Sequence, residues 1–417
     1  MEVMKNRTYL CVRTASIFAM LLFICIATSC VRRQQTLSPL HPYIAEIVGD
    51  TSCVDYHIMS DFHIKRSGAV YVIGKPDDCH KVAEALSAAD YFDNIDASTV
   101  TDRLADFGGE TIVSIEDHAS CTSFTAFLDK KSGRSCEALS DSTLNGVSKD
   151  STISFADELS QWREICLRIV VDALDSLCYA NPYTSEKTVA KIPCKLLVLA
   201  SPELDLAKAD IDTLFSIFNI DLKVISAASE LSSYAVSRHG KSAALALVAD
   251  RPSLYMQTSV KPLSGQSSSK ATLSAGDVSQ RGEFVFVDSL VTSLPELLSA
   301  YHESGEDVVP LEALLVEDDS LAMAMNSELQ DILQGEGLDY EIYRSVISDR
   351  FEIVSKEQAL SCAAYLSLRK DGLFTHRAAA PVSAKYLMVP ELVYPDLSDW
   401  RIISYTEKHS FVENGGI

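Results

Sequence analysis

Positive charge is what this sequence has little of. Its 417 residues hold 36 Lys and Arg against 58 Asp and Glu, a formal net charge of −22 at pH 7. No basic run is long enough to form a pocket for a polyanion. Such a surface repels nucleic acid, so none is expected as a partner. Catalytic signatures are missing as well: there is no G-x-S-x-G elbow, no H-E-x-x-H helix and no C-x-x-C pair, and the nine histidines never pair at metal-ligand spacing. Common serine hydrolases, zinc peptidases and redox dithiols therefore lack support, and no metal or cofactor is expected. His63, His80, His118 and His376 are left without a role. Beyond the first thirty residues no apolar run approaches a membrane span, although 47% of the chain is apolar; that hydrophobicity is spread over short segments, as in a globular protein.

The first thirty residues differ from the rest. Lys5, Arg7 and Arg13 precede an apolar run from Ser16 to Ile26, which is short for a transmembrane helix and suits an export signal. Ile26-Ala27-Thr28-Ser29-Cys30 closes it with small residues. This resembles the lipobox of bacterial lipoproteins, in the form with serine before the cysteine that is common in Bacteroidetes, with Ala27 where Leu is usual. The resemblance implies a signal peptide over 1–29 and acylation of Cys30, and several acyl chains anchor a protein stably to a membrane. It also implies a place in the cell envelope, and the basic Arg32-Arg33 after the cysteine points to the outer membrane facing the periplasm. The leader carries three basic residues and one acidic, so the mature chain is more acidic still.

Of 11 cysteines, the lipobox resemblance implies that Cys11 and Cys25 leave with the leader and that Cys30 is lipidated. Cys166 and Cys178 fall on the apolar face of one expected helix, and Cys194 and Cys362 lie in apolar elements, so buried free thiols are expected there. Cys121 and Cys136 flank a polar loop and are the best local disulfide pair.

Residues 30–66 read as a tether and lead-in segment, extended around Pro39 and Pro42. An α/β lobe is expected over 67–256, with a Ser-rich insertion at 119–154. It begins with the apolar strand Ala69 to Gly74, a helix from about Asp78 to Asp90 and a strand at Thr111 to Ile115. An amphipathic helix runs from Phe155 to about Tyr179, and strand and helix alternate from Lys195 to Ala249, with Gly240 as a left-handed helix cap. A polar connector or flap covers 257–281. Alternation restarts in a second α/β lobe over 282–417. The expected class is α/β, two Rossmann-like parallel-sheet lobes, periplasmic-binding-protein-like.

Parallel sheets bind ligands beyond the carboxyl ends of their strands. That rule selects Gly74 and Lys75, Glu116 and Asp117, Ser201, Ser226, Asp250, Asp288, and Glu317 to Ser320, with Asp318 and Asp319 among them. A second group is the acidic stretch around Asp106, Gly108, Gly109 and Glu110, where two glycines let backbone approach a ligand closely and paired carboxylates suit acid–base work. Leu314 to Asp319 looks like the acidic strand end of response-regulator receivers, and Gly240-Lys241-Ser242 like the tail of a phosphate loop. Neither has the rest of its motif.

The leader and the succession of α/β units resemble the type I periplasmic solute-binding lipoproteins, including the basic-membrane-protein group that binds nucleosides. That resemblance implies non-enzymatic capture of a small polar solute in a cleft between two lobes. Two other readings stand beside it: a lipid-anchored hydrolase using Asp106 and Glu110, and an envelope protein that serves interaction or assembly through a protein partner.

Overall fold

Short runs of Val, Ile and Leu buried on both faces build parallel sheets, and two such sheets organise this chain. The computed structural model describes residues 40–90, 106–117, 155–240, 243–249, 270–271, 282–287, 293–303, 309–375, 381–390 and 400–404. By contact the chain divides into a leading unit, Met1–Glu46, and a body, Ile47–Ile417.

The order begins α1 (Pro42–Gly49), α2 (Val54–Asp61), β1 (Ala69–Gly74), α3 (Pro76–Ala88), β2 (Thr111–Asp117), α4 (Phe155–Leu174), β3 (Leu177–Tyr179), β4 (Lys187–Ala190) and β5 (Cys194–Leu199). A 3₁₀ turn (Pro202–Ala207) leads to α5 (Lys208–Ile217), β6 (Val224–Ser226), α6 (Ala227–His239), β7 (Leu245–Val248), β8 (Lys270–Ala271) and β9 (Gly282–Val287). There follow α7 (Leu294–Glu303), β10 (Leu311–Val316), α8 (Asp319–Gln334), α9 (Leu338–Ser345), β11 (Ile347–Ser355), α10 (Lys356–Lys370), β12 (Val382–Pro390) and β13 (Trp400–Ser404). Among the described residues no helix is long and apolar enough to cross a membrane.

The first sheet runs β4-β3-β13-β12-β2-β1-β5-β6, and its stretch from β12 to β6 is parallel throughout. The second runs β11-β10-β7-β9-β8, parallel from β11 to β9. The fold is thus α/β with two Rossmann-like parallel-sheet lobes, as expected. In the first sheet the chain steps from β1 to β2, then returns to the other side of β1 with β5. Around β7 the second repeats the manoeuvre, with β9 on one side and β10 on the other. Each sheet therefore has a switch point, β1/β5 and β7/β10, where the connections diverge and leave a crevice at the carboxyl ends.

Side-chain alternation buries both faces of each sheet. Leu245, Leu247, Ala313 and Leu315 pack against Ala228, Leu231 and Ala235 of α6. Ala246, Leu314 and Val316 face the other way, onto Leu297 and Leu298 of α7 and Met325 and Leu329 of α8. On the first sheet Val70, Val72, Leu196 and Val198 pack with Val82 and Leu86 of α3 and with Leu360, Ala364 and Tyr365 of α10.

The passage between sheets is made by helices. α6 leads from β6 to β7, the chain returns through α10, and the two helices pack on each other. β7 accordingly belongs to the second sheet, and β12 and β13 to the first, so the crossings do not fall in the polar stretch 257–281. Two more differences have local causes. The helix expected to reach Tyr179 ends at Leu174, because Asp175 Oδ1 accepts from the Leu177 amide (3.1 Å) and the chain leaves as β3. Cys178 is therefore in a strand and not beside Cys166 on one helix, though both are buried free thiols, as are Cys194 and Cys362. The lead-in segment also folds into α1 and α2. Cys121 and Cys136 lie outside the described residues.

Candidate functional site

Helices in a parallel fold begin where strands end, so the N-termini of α3, α8 and α10 collect at the carboxyl edges of the two sheets. Each start has a chemical reason. Pro76 occupies the first turn of α3, Asp318 caps α8 by accepting from the Leu321 amide (3.0 Å), and Ser355 caps α10 by accepting from Gln358 (3.1 Å). Between these starts lies a cleft of about 350 Å³. The turn after β1 supplies Lys75, Asp77, Asp78 and Lys81, and the end of β7 supplies Val248 and Ala249. Glu317, Asp318 and Leu321 enter from the end of β10, and Lys356 and Glu357 from the end of β11. The cleft thus touches one strand of the first switch point and both strands of the second.

A chain of hydrogen bonds organises its floor. The Lys75 amide donates to Ser201 Oγ (2.8 Å), whose hydroxyl donates to Asp78 Oδ2 (2.5 Å), and Lys356 Nζ donates to Asp78 Oδ1 (2.6 Å). Lys75 Nζ turns away to the buried Glu203 (2.5 Å). Ser201 reaches this position because residue 74 is glycine; a Cβ there would stand 2.6 Å from Ser201 Oγ. Across the cleft, Lys81 Nζ bridges Asp318 (2.6 Å) and Asp77 (3.0 Å). Two ion pairs, Lys81 with Asp318 and Lys356 with Asp78, therefore join the first sheet's α3 to residues that follow strands of the second.

Charge states follow. Burial opposes the charge on both lysines, but the facing carboxylates outweigh it: Lys81 is held above the usual range by Asp318 and Asp77, and Lys356 by Asp78 and Glu357. For Asp318 burial works against ionisation, yet the Lys81 and Leu321 hydrogen bonds bring its carboxyl below the ordinary value. Glu357 goes the other way. It is 1% exposed, neither carboxylate oxygen has a hydrogen-bond partner among the described residues, and Lys356 Nζ is 3.7 Å away. Burial raises its carboxyl to about 7, against the lowering effects of Lys356 and its own amide.

The expected residues are distributed unevenly. Ser201 and Asp318 are part of the cleft's network, and Asp319, in the first turn of α8, adds to the rise at Glu357. Glu116 pairs with Lys385 of β12 (2.7 Å) and Asp117 is buried at the end of β2; both stand at the carboxyl edge without lining the cleft. Asp106, Gly108, Gly109 and Glu110 lie at the opposite, amino edge. There Glu110 is in contact with the fully buried Lys195 and accepts from the Thr375 amide (2.5 Å) and hydroxyl, while Lys195 also donates to the Leu373 carbonyl (3.1 Å). This group fastens the chain returning from α10 onto the first sheet. Gly109 takes a left-handed turn (φ 74°) beside it. Cys30, Asp250 and Asp288 lie outside the described residues. Asp78, Lys81, Lys356 and Glu357 are not among the residues the sequence singles out; the last two follow β11 directly, where the strand-end rule applies to them as it does to Ser201 and Asp318.

No protein-family model and no curated protein matches this chain. Solved structures similar to it include glutamate racemases. One from Bacillus anthracis shares 10% identity, with 78% of this chain and 89% of that one covered and a TM-score of 0.36. Another from Thermus thermophilus, in complex with beta-chloro-D-alanine, also shares 10% identity, with 79% and 91% covered and a TM-score of 0.35. Likeness at this level has no bearing on the cleft, whose chemistry rests on its own residues.

Proposed function

We propose that this protein captures a small polar solute in the cleft between the strand ends of its two sheets, and does so as an envelope lipoprotein held to the outer membrane through Cys30. The observation that carries the binding reading is the cleft itself: strand ends of two separate parallel sheets meet there, and Glu357 is buried in its wall with no hydrogen-bond donor among the described residues. Burying an ionisable group without one is costly, and a ligand that supplies the donor removes that cost. Lys81 and Lys356 span the two sheets at the same place, so a solute bound there touches both. The anchor rests on the lipobox-like leader.

A thermal-shift screen of the purified protein against nucleosides, sugars, amino acids, amines and organic acids tests the first half. At a hundred times its dissociation constant a true ligand stabilises by ~2.7 kcal/mol, a readily measured shift. No stabilisation by any class would contradict solute capture. Mass spectrometry of the membrane-extracted protein tests the second, with an acylated Cys30 as the expected N-terminus; an intact leader would refute it.

A further inference from the structure

Resting on the solute-binding reading, we propose that the cleft's ligand is a small organic cation, an amine whose ammonium group donates to Glu357. The hydrogen-bonding vacancies of the wall indicate which sign the ligand bears. Each cleft lysine already has a carboxylate acceptor: Glu203 for Lys75, Asp318 and Asp77 for Lys81, Asp78 for Lys356. A ligand carboxylate or phosphate would have to compete with these pairs. On the acceptor side the balance is different. Five carboxylates line the space against three ammonium groups. Helix starts explain several of them, since Asp77 and Asp78 sit in the first turn of α3 and Asp318 caps α8. A helix start does not explain why Glu357 is 1% exposed with both oxygens lacking a donor among the described residues. The 3.7 Å to Lys356 Nζ is too long for a hydrogen bond, and that ammonium is directed at Asp78. An ammonium group entering from the cleft would supply the missing donor and bring the excess of negative charge toward balance. The walls offer Val248, Ala249 and Leu321 for a short alkyl chain.

Isothermal titration calorimetry on the full chain separates the outcomes, with three probes of matched length: 1,4-diaminobutane, 1,4-butanediol and succinate. The diamine is expected to bind, and the diol and the diacid are not. Glu357→Gln, which keeps the side chain's shape, is expected to weaken the diamine by about tenfold or more, the scale of one charge-assisted hydrogen bond, while the variant melts no lower than the parent. Tighter binding of the diol or of succinate would overturn the cationic assignment and leave solute capture standing. Diamine binding that Glu357→Gln leaves unchanged would reveal attraction to the acidic surface alone and overturn it too. If none of the three binds and the wider screen is also silent, the assignment and the binding reading fall together.

Discussion

Glu357 and Glu110 are both buried glutamates, and their surroundings give them opposite roles. Glu110 is satisfied on all sides by Lys195 and Thr375; its work is structural. Removing one partner of such a pair leaves the other charge uncompensated, at a cost of ~3–5 kcal/mol. Glu110→Ala should therefore lose that much in urea unfolding, and the paired change Glu110→Leu with Lys195→Met should recover most of it. Glu357 carries an unmet demand instead. Its carboxyl titrates at about 7 in the folded protein and near 4.5 otherwise, so between those values the folded state holds a proton the unfolded chain releases. Stability then falls as pH rises through this window, with the full penalty, ~3 kcal/mol, present above about pH 7. Buried Asp205, pushed up to about 7 by desolvation, adds a fall of the same sign. Chemical denaturation at pH 5 and pH 8 should show Glu357→Gln more stable than the parent at pH 8 and nearly equal at pH 5. Such a gain from deleting a buried charge is what a site held ready for a ligand predicts. In the sequence these two residues look alike, as acids beside apolar strands. Only the register of β2 against β1, and the place of α10 between the sheets, sets them at opposite edges.

At the scale of elements, strands were the most legible part. The apolar runs at Ala69 to Gly74, Leu196 to Ala200 and Ala313 to Val316 correspond to β1, β5 and β10, because burial on both faces leaves no alternative composition. Elements whose existence depends on distant partners were not readable: β3 follows a helical pattern that Asp175 interrupts, and it is completed by β4 and β13. Lys356 and Glu357 escaped notice for a related reason, since charged residues at the start of an amphipathic helix read as solvated when they are in fact nearly inaccessible. Two elements carry sharp predictions. Gly74→Ala forces a Cβ to within 2.6 Å of Ser201 Oγ, so the Ser201–Asp78 bond must yield; ligand affinity should fall further than the melting temperature. Leu360 of α10 is fully buried against the first sheet. Its truncation to alanine should cost ~2–5 kcal/mol of stability.

For the molecule as a whole, the order in which strands join sheets matters more than their number. Alternating strands and helices made two lobes legible, but nothing in the alternation marks where the chain changes sheet. The polar stretch 257–281 looks like a boundary, whereas the crossings run through α6 and α10, two helices packed on each other. That packing brings α3, α8 and α10 to one place, and with them the ion pairs between Lys81 and Asp318 and between Lys356 and Asp78. A cleft with strand ends on both sides and salt bridges across it is suited to hold a solute against both sheets at once.

Hydrogen exchange read by mass spectrometry, with and without a saturating stabiliser from the thermal screen, puts this account to its most direct test. Protection is predicted in peptides covering 74–81, 317–321 and 355–358. Protection centred instead on 106–110, or spread evenly with no change at those three turns, would contradict it.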